Sequence, residues 1–382
     1  MPARELEEAF YRTLVHFPHM AGYLKQTGYD TMDIIVDKTK LNLPDYRESQ
    51  SDIHYQDIES ANFDPATWPS DLSPVGNIAL IRLANFHVVP IEGEQRYYYF
   101  IQTSTVALLT RTVPAEVLNR WAEETRALLT GVPAKLPNYC LDDRITLKYL
   151  PNERAEIGDD SRGKVMGYVS SKQPLRTHLF RLRLELLEHV PPGTRLSDHD
   201  ILCAIGYKLN GQASYDAANK NQSNHYILLP FSLRHRLGME HLNCIGNPLL
   251  GMVEVLPVGH AQSLITNQSL AEVASRIRKT TDSVTPAAVG TAMDIMEADT
   301  CDIGTFLSGM TFDVQSITSD LTRIKLYDAD FGSGVQAFST LFSCLPSPPS
   351  STDCIVFFTN SPDAMDSILN NRFWKDFATV IF

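Results

Sequence analysis

Hydrophobic residues recur at helical spacing in several parts of the chain. Within residues 4–26 they repeat at steps of three and four, so they share one face of a predicted helix. A second predicted helix starts at Pro114, because the missing N–H of proline costs nothing in a first turn, and its apolar stripe includes Trp121. Residues 197–200 and 269–272 have the form of capping boxes, so each predicts another helix start.

Runs of β-branched and aromatic residues predict the strands. They lie at 33–36, 78–83, 97–102, 175–182, 226–231, 249–255 and 355–358. The polar stretch 211–224 is predicted to be a loop, and Ser361 followed by Pro362 predicts the start of a final helix. Because strands and helices are mixed without strict βαβ alternation, we expect a layered α/β (α+β) fold.

The domain organisation follows from length and local composition. A chain of 382 residues suits one large domain or two smaller ones. Residues 131–173 lack hydrophobic periodicity and contain prolines and a polar stretch, as expected of a connection. We therefore predict an N-terminal lobe at 1–150, a crossover at 151–175 and a C-terminal lobe at 176–382.

Charge and cysteine spacing exclude several kinds of partner. The net charge of -12 argues against nucleic acid, whose phosphates require clustered Lys and Arg. No apolar run is long enough to span a bilayer, and the first residues do not resemble a secretory signal. The six cysteines lack metal-ligand spacing. We expect a cytoplasmic monomer with reduced thiols, no metal and no membrane insertion.

Five segments, in the correct order, resemble one known family. They are 14–22, with Phe-Pro-His-Met-Ala-Gly; 234–237, with Arg-His-Arg-Leu; 245–248; 270–278; and 327–334, with Asp-Phe-Gly-Ser-Gly. The chain resembles the BAHD-type CoA-dependent acyltransferases of plant and fungal secondary metabolism over nearly its whole length. Ser333 stands where that family has Trp.

The resemblance implies a fold and a general activity. Members have two similar lobes, with mixed sheets and flanking helices, around a central tunnel that acyl-CoA and the acceptor enter from opposite ends. A further strand usually precedes the helix at which this chain begins. We therefore expect either a first lobe without that strand or a truncated sequence.

The family's catalytic motif is absent from the chain. That motif is HxxxD, in which His removes the proton from the acceptor, and no His here is followed four positions later by Asp. Counting back from Trp121 places the two equivalents near Val106 and Thr110. Residues 102–111 contain no general base, and losing one typically reduces the rate about 10²–10⁴-fold.

The candidate site residues come from this segment and from the second half. Ser104, Thr105 and Thr110 are the candidate catalytic hydrogen-bond donors. The candidate substrate-binding residues are Thr103, Val106, Tyr99 and His235. Tyr99 belongs to a tyrosine run that is interpreted first as strand and alternatively as tunnel lining. Like the other histidines, His235 has the alternative of a purely structural position at the surface or in the core.

The aspartate–glycine segment is expected to be structural. The resemblance implies that Asp330, Gly332 and Gly334 support the interface between the lobes, in a turn where glycine can adopt positive φ. Arg234 and Arg236 are expected to pair with Asp330 across that interface. The alternative is that the two arginines contact phosphates.

Three functions remain open. The first is cofactor-free cyclisation or isomerisation, including a Diels–Alder-type cycloaddition, of an apolar polyketide or terpenoid small molecule. Such a reaction needs shape, exclusion of water and hydrogen-bond donors, but no base. The second is O- or N-acyl transfer with acyl-CoA as co-substrate and a displaced base, since an acidic surface leaves room for a small basic CoA site. The third is a truncated, non-catalytic binding protein.

Overall fold

The computed structural model describes most of both halves of the chain. The described residues are 3–26, 32–48, 54, 57, 60, 84–90, 97–103, 112–135, 138–140, 145–156, 176–183, 196–217, 224–244, 248–298, 314–317, 328, 344–345 and 353–380.

Helices and strands alternate irregularly along the chain. The helices are α1 (Ala3–Leu14), α2 (Thr112–Thr130), α3 (Ile145–Lys148), α4 (Asp198–Ala217), α5 (Leu233–Arg236), α6 (Val258–Gln262), α7 (Asn267–Ser283), α8 (Pro286–Ala298), α9 (Pro362–Asn370) and α10 (Arg372–Phe377). The strands are β1 (Tyr23–Gln26), β2 (Met32–Ile35), β3 (Asp45–Glu48), β4 (Ala84–Pro90), β5 (Tyr97–Thr103), β6 (Tyr139–Cys140), β7 (Arg176–Leu182), β8 (Asn224–Ser232), β9 (Asn243–Cys244), β10 (Leu249–Pro257), β11 (Val314–Ile317), β12 (Cys344–Leu345), β13 (Cys354–Asn360) and β14 (Ala378–Val380).

The predicted helix over 4–26 is only half as long as expected. Helix α1 ends at Leu14, a 3₁₀ turn follows at Pro18–Ala21, and β1 then pairs with β2 in antiparallel fashion. Proline cannot donate the helical backbone hydrogen bond, so Pro18 begins the short turn instead of continuing the helix. A Cβ atom at Gly22 would lie 2.7 Å from the Ile34 side chain, so this close approach of β1 and β2 requires glycine.

The first lobe places a three-stranded sheet near two packed helices. The strand order is β3-β4-β5, with β3 parallel and β5 antiparallel to β4. Helix α2 packs against α1 and confirms the helix predicted around Pro114. The strand predicted at 97–102 is confirmed as β5. The strand predicted at 78–83 lies outside the described residues, and β4 was not predicted.

Two sheets lie in the second lobe, and neither follows the order of its strands along the chain. One has the order β12-β13-β7-β14 with antiparallel pairs throughout. In the other, β8 lies between antiparallel β10 and parallel β11. The strands predicted at 175–182, 226–231, 249–255 and 355–358 are confirmed by β7, β8, β10 and β13.

Helix α4 forms the centre of the second lobe. Every residue from Asp200 to Gly211 is buried, as expected for a helix with neighbours on all sides. The capping box predicted at 197–200 is confirmed, because Ser197 N–H donates to Asp200 at 2.7 Å and Asp200 N–H donates back to the Ser197 hydroxyl at 3.4 Å. The prediction that a loop begins at 211 is wrong, because α4 continues to Ala217. A Cβ atom at Gly211 would collide with Ala261, so this glycine allows α4 to approach α6.

One predicted helix start is displaced, and one predicted final helix is not the last element. The capping box of α7 consists of Thr266 and Ser269, three residues before the predicted one, since Thr266 Oγ1 accepts from Ser269 N–H at 3.1 Å. Ser361 caps α9 as predicted, with Pro362 in the first turn. That helix is not the last element, because α10 and the edge strand β14 follow it.

The connection between the lobes is held against the second lobe. Strand β6 pairs in parallel with β9, and the Tyr149 hydroxyl lies 3.2 Å from Nε2 of His241. Farther along, the Ala155 carbonyl accepts from the Thr291 hydroxyl at 2.9 Å. Arg154 pairs with Asp294 at 2.5 Å and passes over Gly290, where a Cβ atom would lie 2.9 Å from its guanidinium. The predicted boundary at 150 stays a prediction, since residues on both sides of it contact the second lobe.

The helices in the described part of the chain do not have the properties of membrane-spanning segments. None of its helices combines the length and apolar character that a bilayer span requires.

Candidate functional site

The predicted catalytic segment connects β5 to α2. Strand β5 ends at Thr103, which pairs with Ala84, while Tyr99 pairs with Val88. Helix α2 begins at Thr112. Of the candidate residues, Ser104, Thr105, Val106 and Thr110 lie outside the described residues. Their role, like that of Tyr99 and Thr103, stays a prediction, but the strand and helix that bracket them are described.

Trp121 anchors the helix that follows this segment. It is fully buried, and its Nε1 donates to the Leu6 carbonyl at 2.9 Å. Its ring lies 5.4 Å from that of Phe10 and 6.2 Å from that of Tyr46. Aromatic pairs at such distances stabilise a core beyond their buried area. The tryptophan used to locate the catalytic segment is therefore a fixed point between α2, α1 and β3.

A buried charge cluster, which the sequence analysis missed, lies next to Trp121 on helix α2. The Arg120 guanidinium is almost fully buried and donates to the Glu124 carboxylate and, at 2.5 Å, to the Lys135 carbonyl. It also lies 3.2 Å from Nε2 of His16, which must accept because arginine only donates. Burial, followed by the Arg120 charge, lowers the pKa of His16, so the ring is neutral at pH 7. The signal was present as an i,i+4 Arg–Glu pair.

His19 and Tyr139 are titratable groups in the same region. Burial lowers the pKa of His19 to about 4, and no described residue hydrogen-bonds to its buried Nε2. Burial raises the pKa of Tyr139 to about 12. The Tyr139 ring lies 5.1 Å from that of Phe17. Both groups are therefore uncharged at neutral pH.

The three basic residues of α5 point in different directions. Arg234 donates to the Cys244 carbonyl at 2.9 Å, and Arg236 donates to the Val284 carbonyl at 2.7 Å and lies over the Phe231 ring. Burial lowers the pKa of both arginines. Both side chains thus help to fix the loops beside α5.

The structure places His235 at the surface. Its side chain is 90% exposed and pairs with Glu240. A group that is this accessible to water is not enclosed in a tunnel, so we withdraw it as a substrate-binding candidate. Its position matches the alternative of a surface histidine.

The aspartate–glycine segment is the predicted partner of Arg234 and Arg236. Asp330, Gly332 and Gly334 lie outside the described residues. The described hydrogen bonds of Arg234 and Arg236 go to backbone carbonyls. Pairing with Asp330, and contact with phosphates, both stay predictions.

A buried ion pair, which the sequence analysis missed, joins α4 to α7. Asp200 is fully buried, and Arg278 donates to its carboxylate from Nε at 2.8 Å and to the Ser197 hydroxyl at 2.6 Å. Arg278 belongs to a segment that carried the family resemblance. The pair fixes the start of α4 against α7, so the structure gives this arginine a role in packing.

Lys208 is a second buried charge in α4. It is fully buried, and its Nζ donates to the His260 carbonyl at 2.9 Å and to the Ser263 hydroxyl at 2.8 Å. Burial lowers the pKa of Lys208 to about 8. The ammonium group supports the C-terminal end of α6, where cations interact favourably with the helix dipole. Nothing in the local sequence distinguished it from a solvent-facing lysine.

Comparison with known proteins supports the fold without assigning a family by sequence. No protein-family profile matches the chain, and no curated protein is significantly similar to it in sequence. The structure, in contrast, matches solved acyltransferase structures along nearly its whole length. One is F. sporotrichioides TRI101 complexed with coenzyme A and T-2, at TM-score 0.71 and 14% identity, covering 99% of this chain and 91% of that one.

The chain has the fold of the BAHD-type CoA-dependent acyltransferases. Vinorine synthase matches with a TM-score of 0.61 and 14% identity over 96% of this chain and 83% of its own. The first condensation domain of the CDA synthetase matches with a TM-score of 0.55 and 13% identity over 100% of this chain and 89% of its own.

These likenesses confirm the predicted two-lobed fold with mixed sheets. At this level of identity they show the fold alone. The activity therefore depends on this chain's own residues.

Proposed function

We propose that this protein is an enzyme of secondary metabolism that acts on a small, largely apolar molecule held between its lobes, without an HxxxD histidine. The reaction that we favour is cofactor-free cyclisation or isomerisation, with Diels–Alder-type cycloaddition as one example. One observation carries this proposal. The acyltransferase fold spans 99% of the chain, yet the segment between β5 and α2 contains no general base.

The physical argument rests on what such a site still provides. A tunnel in this fold binds and orients a flexible substrate and excludes water, which lowers the entropic part of an intramolecular barrier. Ser104, Thr105 and Thr110 supply hydroxyl donors at the place where the family has its catalytic residues. Donors of this kind polarise a carbonyl or hold a reactive conformer without removing a proton. Tyr99, Thr103 and Val106 are the proposed contacts to the substrate.

Acyl transfer from CoA is the second candidate. The TRI101 structure, which has the fold that this chain shares, contains coenzyme A and T-2. Coenzyme A carries the acyl group of a thioester donor, and T-2 is a small-molecule ligand. The reaction would need either a displaced base or an acceptor that is nucleophilic without activation. A hydroxyl group is a poor base unless a histidine or lysine lies beside it. A non-catalytic binding protein is the remaining alternative.

Calorimetric titration with acetyl-CoA and with free CoA separates the two reactions. The protein is first shown to be folded by a cooperative thermal transition, so that absent binding is meaningful. Binding at micromolar strength, about -8 kcal/mol, would favour acyl transfer. No binding is the result expected for cofactor-free chemistry. A panel of polyene and terpenoid intermediates would then be screened for conversion without added cofactor, and a folded protein that converts none of them would favour the binding protein.

Variants in the β5–α2 segment test the proposed donors once turnover is observed. Thr105→Ala and Thr110→Ala are expected to reduce kcat about tenfold or less, because each removes one hydrogen bond and no base. Thr130→Ala is the matched control, since that exposed hydroxyl lies at the far end of α2, where it donates to the Arg126 carbonyl and accepts from the Val132 N–H. A single histidine variant that abolishes turnover would contradict base-free catalysis.

A further inference from the structure

Two cysteines, one on each side of the connection between the lobes, are direct neighbours in a sheet. Cys140 of β6 pairs in register with Cys244 of β9, and the two strands are parallel. Paired residues of adjacent strands project to the same face, and neighbouring strands lie about 4.8 Å apart. That separation is within the range of Cα distances that a disulfide can span. Both residues are thiols in the structure.

The surroundings of the two thiols differ. Cys140 is partly exposed, whereas Cys244 is 9% exposed. The Arg234 guanidinium donates to the Cys244 carbonyl at 2.9 Å, so it lies close to this cysteine. A nearby guanidinium favours the thiolate, which is the reactive form of cysteine. One thiol is therefore accessible to a reagent, and the other is sheltered close to a guanidinium.

We propose that Cys140 and Cys244 form a reversible disulfide by exchange with a low-molecular-weight disulfide such as oxidised glutathione. The Cys140 thiolate attacks one sulfur of the reagent, which forms a mixed disulfide and releases one glutathione thiolate. The Cys244 thiolate then attacks the Cys140 sulfur of the mixed disulfide. This step forms the Cys140–Cys244 bond and releases the second glutathione thiolate. Two protein thiols are oxidised, and one glutathione disulfide is reduced to two thiols.

The neighbouring contacts already hold the two segments together. The Asn243 side chain donates to the Asn138 carbonyl at 3.4 Å, and Tyr149 lies beside His241. The disulfide thus forms without a large movement of the backbone. It joins the chain that leaves α2 to the segment that leads into β10, so the connection of the first lobe becomes covalently fixed to the second. Activity that requires the lobes to move apart would then depend on the thiol–disulfide ratio.

Mass spectrometry of the folded wild-type protein tests the proposal. The protein is incubated in glutathione buffers of increasing oxidised fraction, alkylated and digested with trypsin without reduction. The expected product is peptide 136–144 linked to peptide 237–276, with loss of the link on reduction. Closure of this long loop should raise the Tm by about 3–6 °C. A folded protein that carries glutathione on Cys140 without forming the link overturns the proposal.

Variants separate the two steps. Cys140→Ser and Cys244→Ser should each abolish the link, whereas Cys354→Ala, which changes a buried thiol of β13, should leave it intact. Arg234→Gln should slow the second step about tenfold, so that the mixed disulfide on Cys140 accumulates, and Arg234→Lys should restore part of the rate. If Arg234→Gln leaves the pH dependence of the second step unchanged, the assigned role of the guanidinium is wrong.

Discussion

The central helices of the two lobes, α2 and α4, differ in the partners of their buried charged side chains. Helix α2 of the first lobe pairs its buried Arg120 within the same helix, with Glu124, and also with His16 and the Lys135 carbonyl. Helix α4 of the second lobe is buried all round from Asp200 to Gly211, and two of its charges, Asp200 and Lys208, lie inside the core. Each buried charge in α4 has a partner from another helix or loop.

This difference shows which lobe can tolerate change. The N-terminal end of α2 adjoins the proposed catalytic segment. A substitution in a helix that is enclosed on all sides disturbs the packing of the core, because protein interiors are close-packed. We therefore expect the second lobe to determine stability and the first lobe to carry the variable chemistry.

The largest effect is expected from Arg278→Met. The substitution leaves the fully buried Asp200 carboxylate without its cation, and breaking such a pair typically costs about 3–5 kcal/mol. Urea denaturation measures the loss in free energy of unfolding. Arg276→Met on the same helix is the control, because its pair with Glu254 is partly exposed, and it should cost less than about 1 kcal/mol. Equal losses in both variants would contradict the central role of the Asp200 pair.

A smaller effect is expected from Arg120→Met in the first lobe. Glu124 loses its main partner, but His16 remains 3.5 Å from the carboxylate, so we expect a loss of about 2–3 kcal/mol. Adding Glu124→Gln should recover part of that loss, because it removes the stranded charge. Arg12→Met, which breaks an exposed pair with Glu8, should change stability by about 0.5 kcal/mol or less. No recovery in the double variant would show that Arg120 acts through packing alone.

The pH dependence of stability should reveal His19. In the unfolded chain the His19 imidazole takes up a proton near pH 6.5, whereas in the folded protein it does so only near pH 4. The contribution of His19 to stability is therefore complete above pH 6.5 and is lost as the pH falls to 4, by up to about 3 kcal/mol. His19→Gln should flatten this part of the profile, while the exposed His235→Gln should not. Parallel profiles for wild type and His19→Gln would contradict the assignment.

The smallest effect is expected from Lys208→Met. The substitution loses two hydrogen bonds but removes the cost of burying an ammonium group, so we expect a change within about 1 kcal/mol at pH 7. The wild-type protein should also gain stability as the pH rises from about 8 towards 10.5, because only the unfolded chain still binds the proton there. Thermal unfolding in both proteins across this range measures the difference. A gain of the same size in the variant would exclude Lys208 as its source.

Local sequence signals were sufficient where one chemical rule dominates. Ser361 and Pro362 start α9 because a hydroxyl cap and a first-turn proline both favour a helix there. Ser197 and Asp200 start α4 for a similar reason. At α7, however, Thr266 and Ser269 form the capping box, although residues 269–272 fitted the pattern equally well. The observed box uses two hydroxyl side chains, Thr266 and Ser269, in place of the predicted hydroxyl and carboxylate.

The candidate site was predicted unevenly. The resemblance placed the catalytic segment by counting back from Trp121, and the strand and helix on either side of it are observed as β5 and α2, while its catalytic role stays a prediction. For His235 the sequence left substrate binding and a surface position open, since neither its neighbours nor its spacing indicate how much water reaches it. Its exposure depends on where α5 lies against the rest of the lobe.

By itself, the sequence determined the helical and strand periodicities, the absence of an HxxxD motif and the resemblance of five short segments to one fold. These properties depend on neighbours along the chain, which a linear pattern records. Tertiary structure alone decided that Asp200 meets Arg278, that Lys208 is buried and that Cys140 lies beside Cys244. The partners in such contacts lie 52 to 104 positions apart along the chain. Some of the residues are also more deeply buried than is usual for their type. Their free energies depend on desolvation and distance, which are set only when the whole chain has packed.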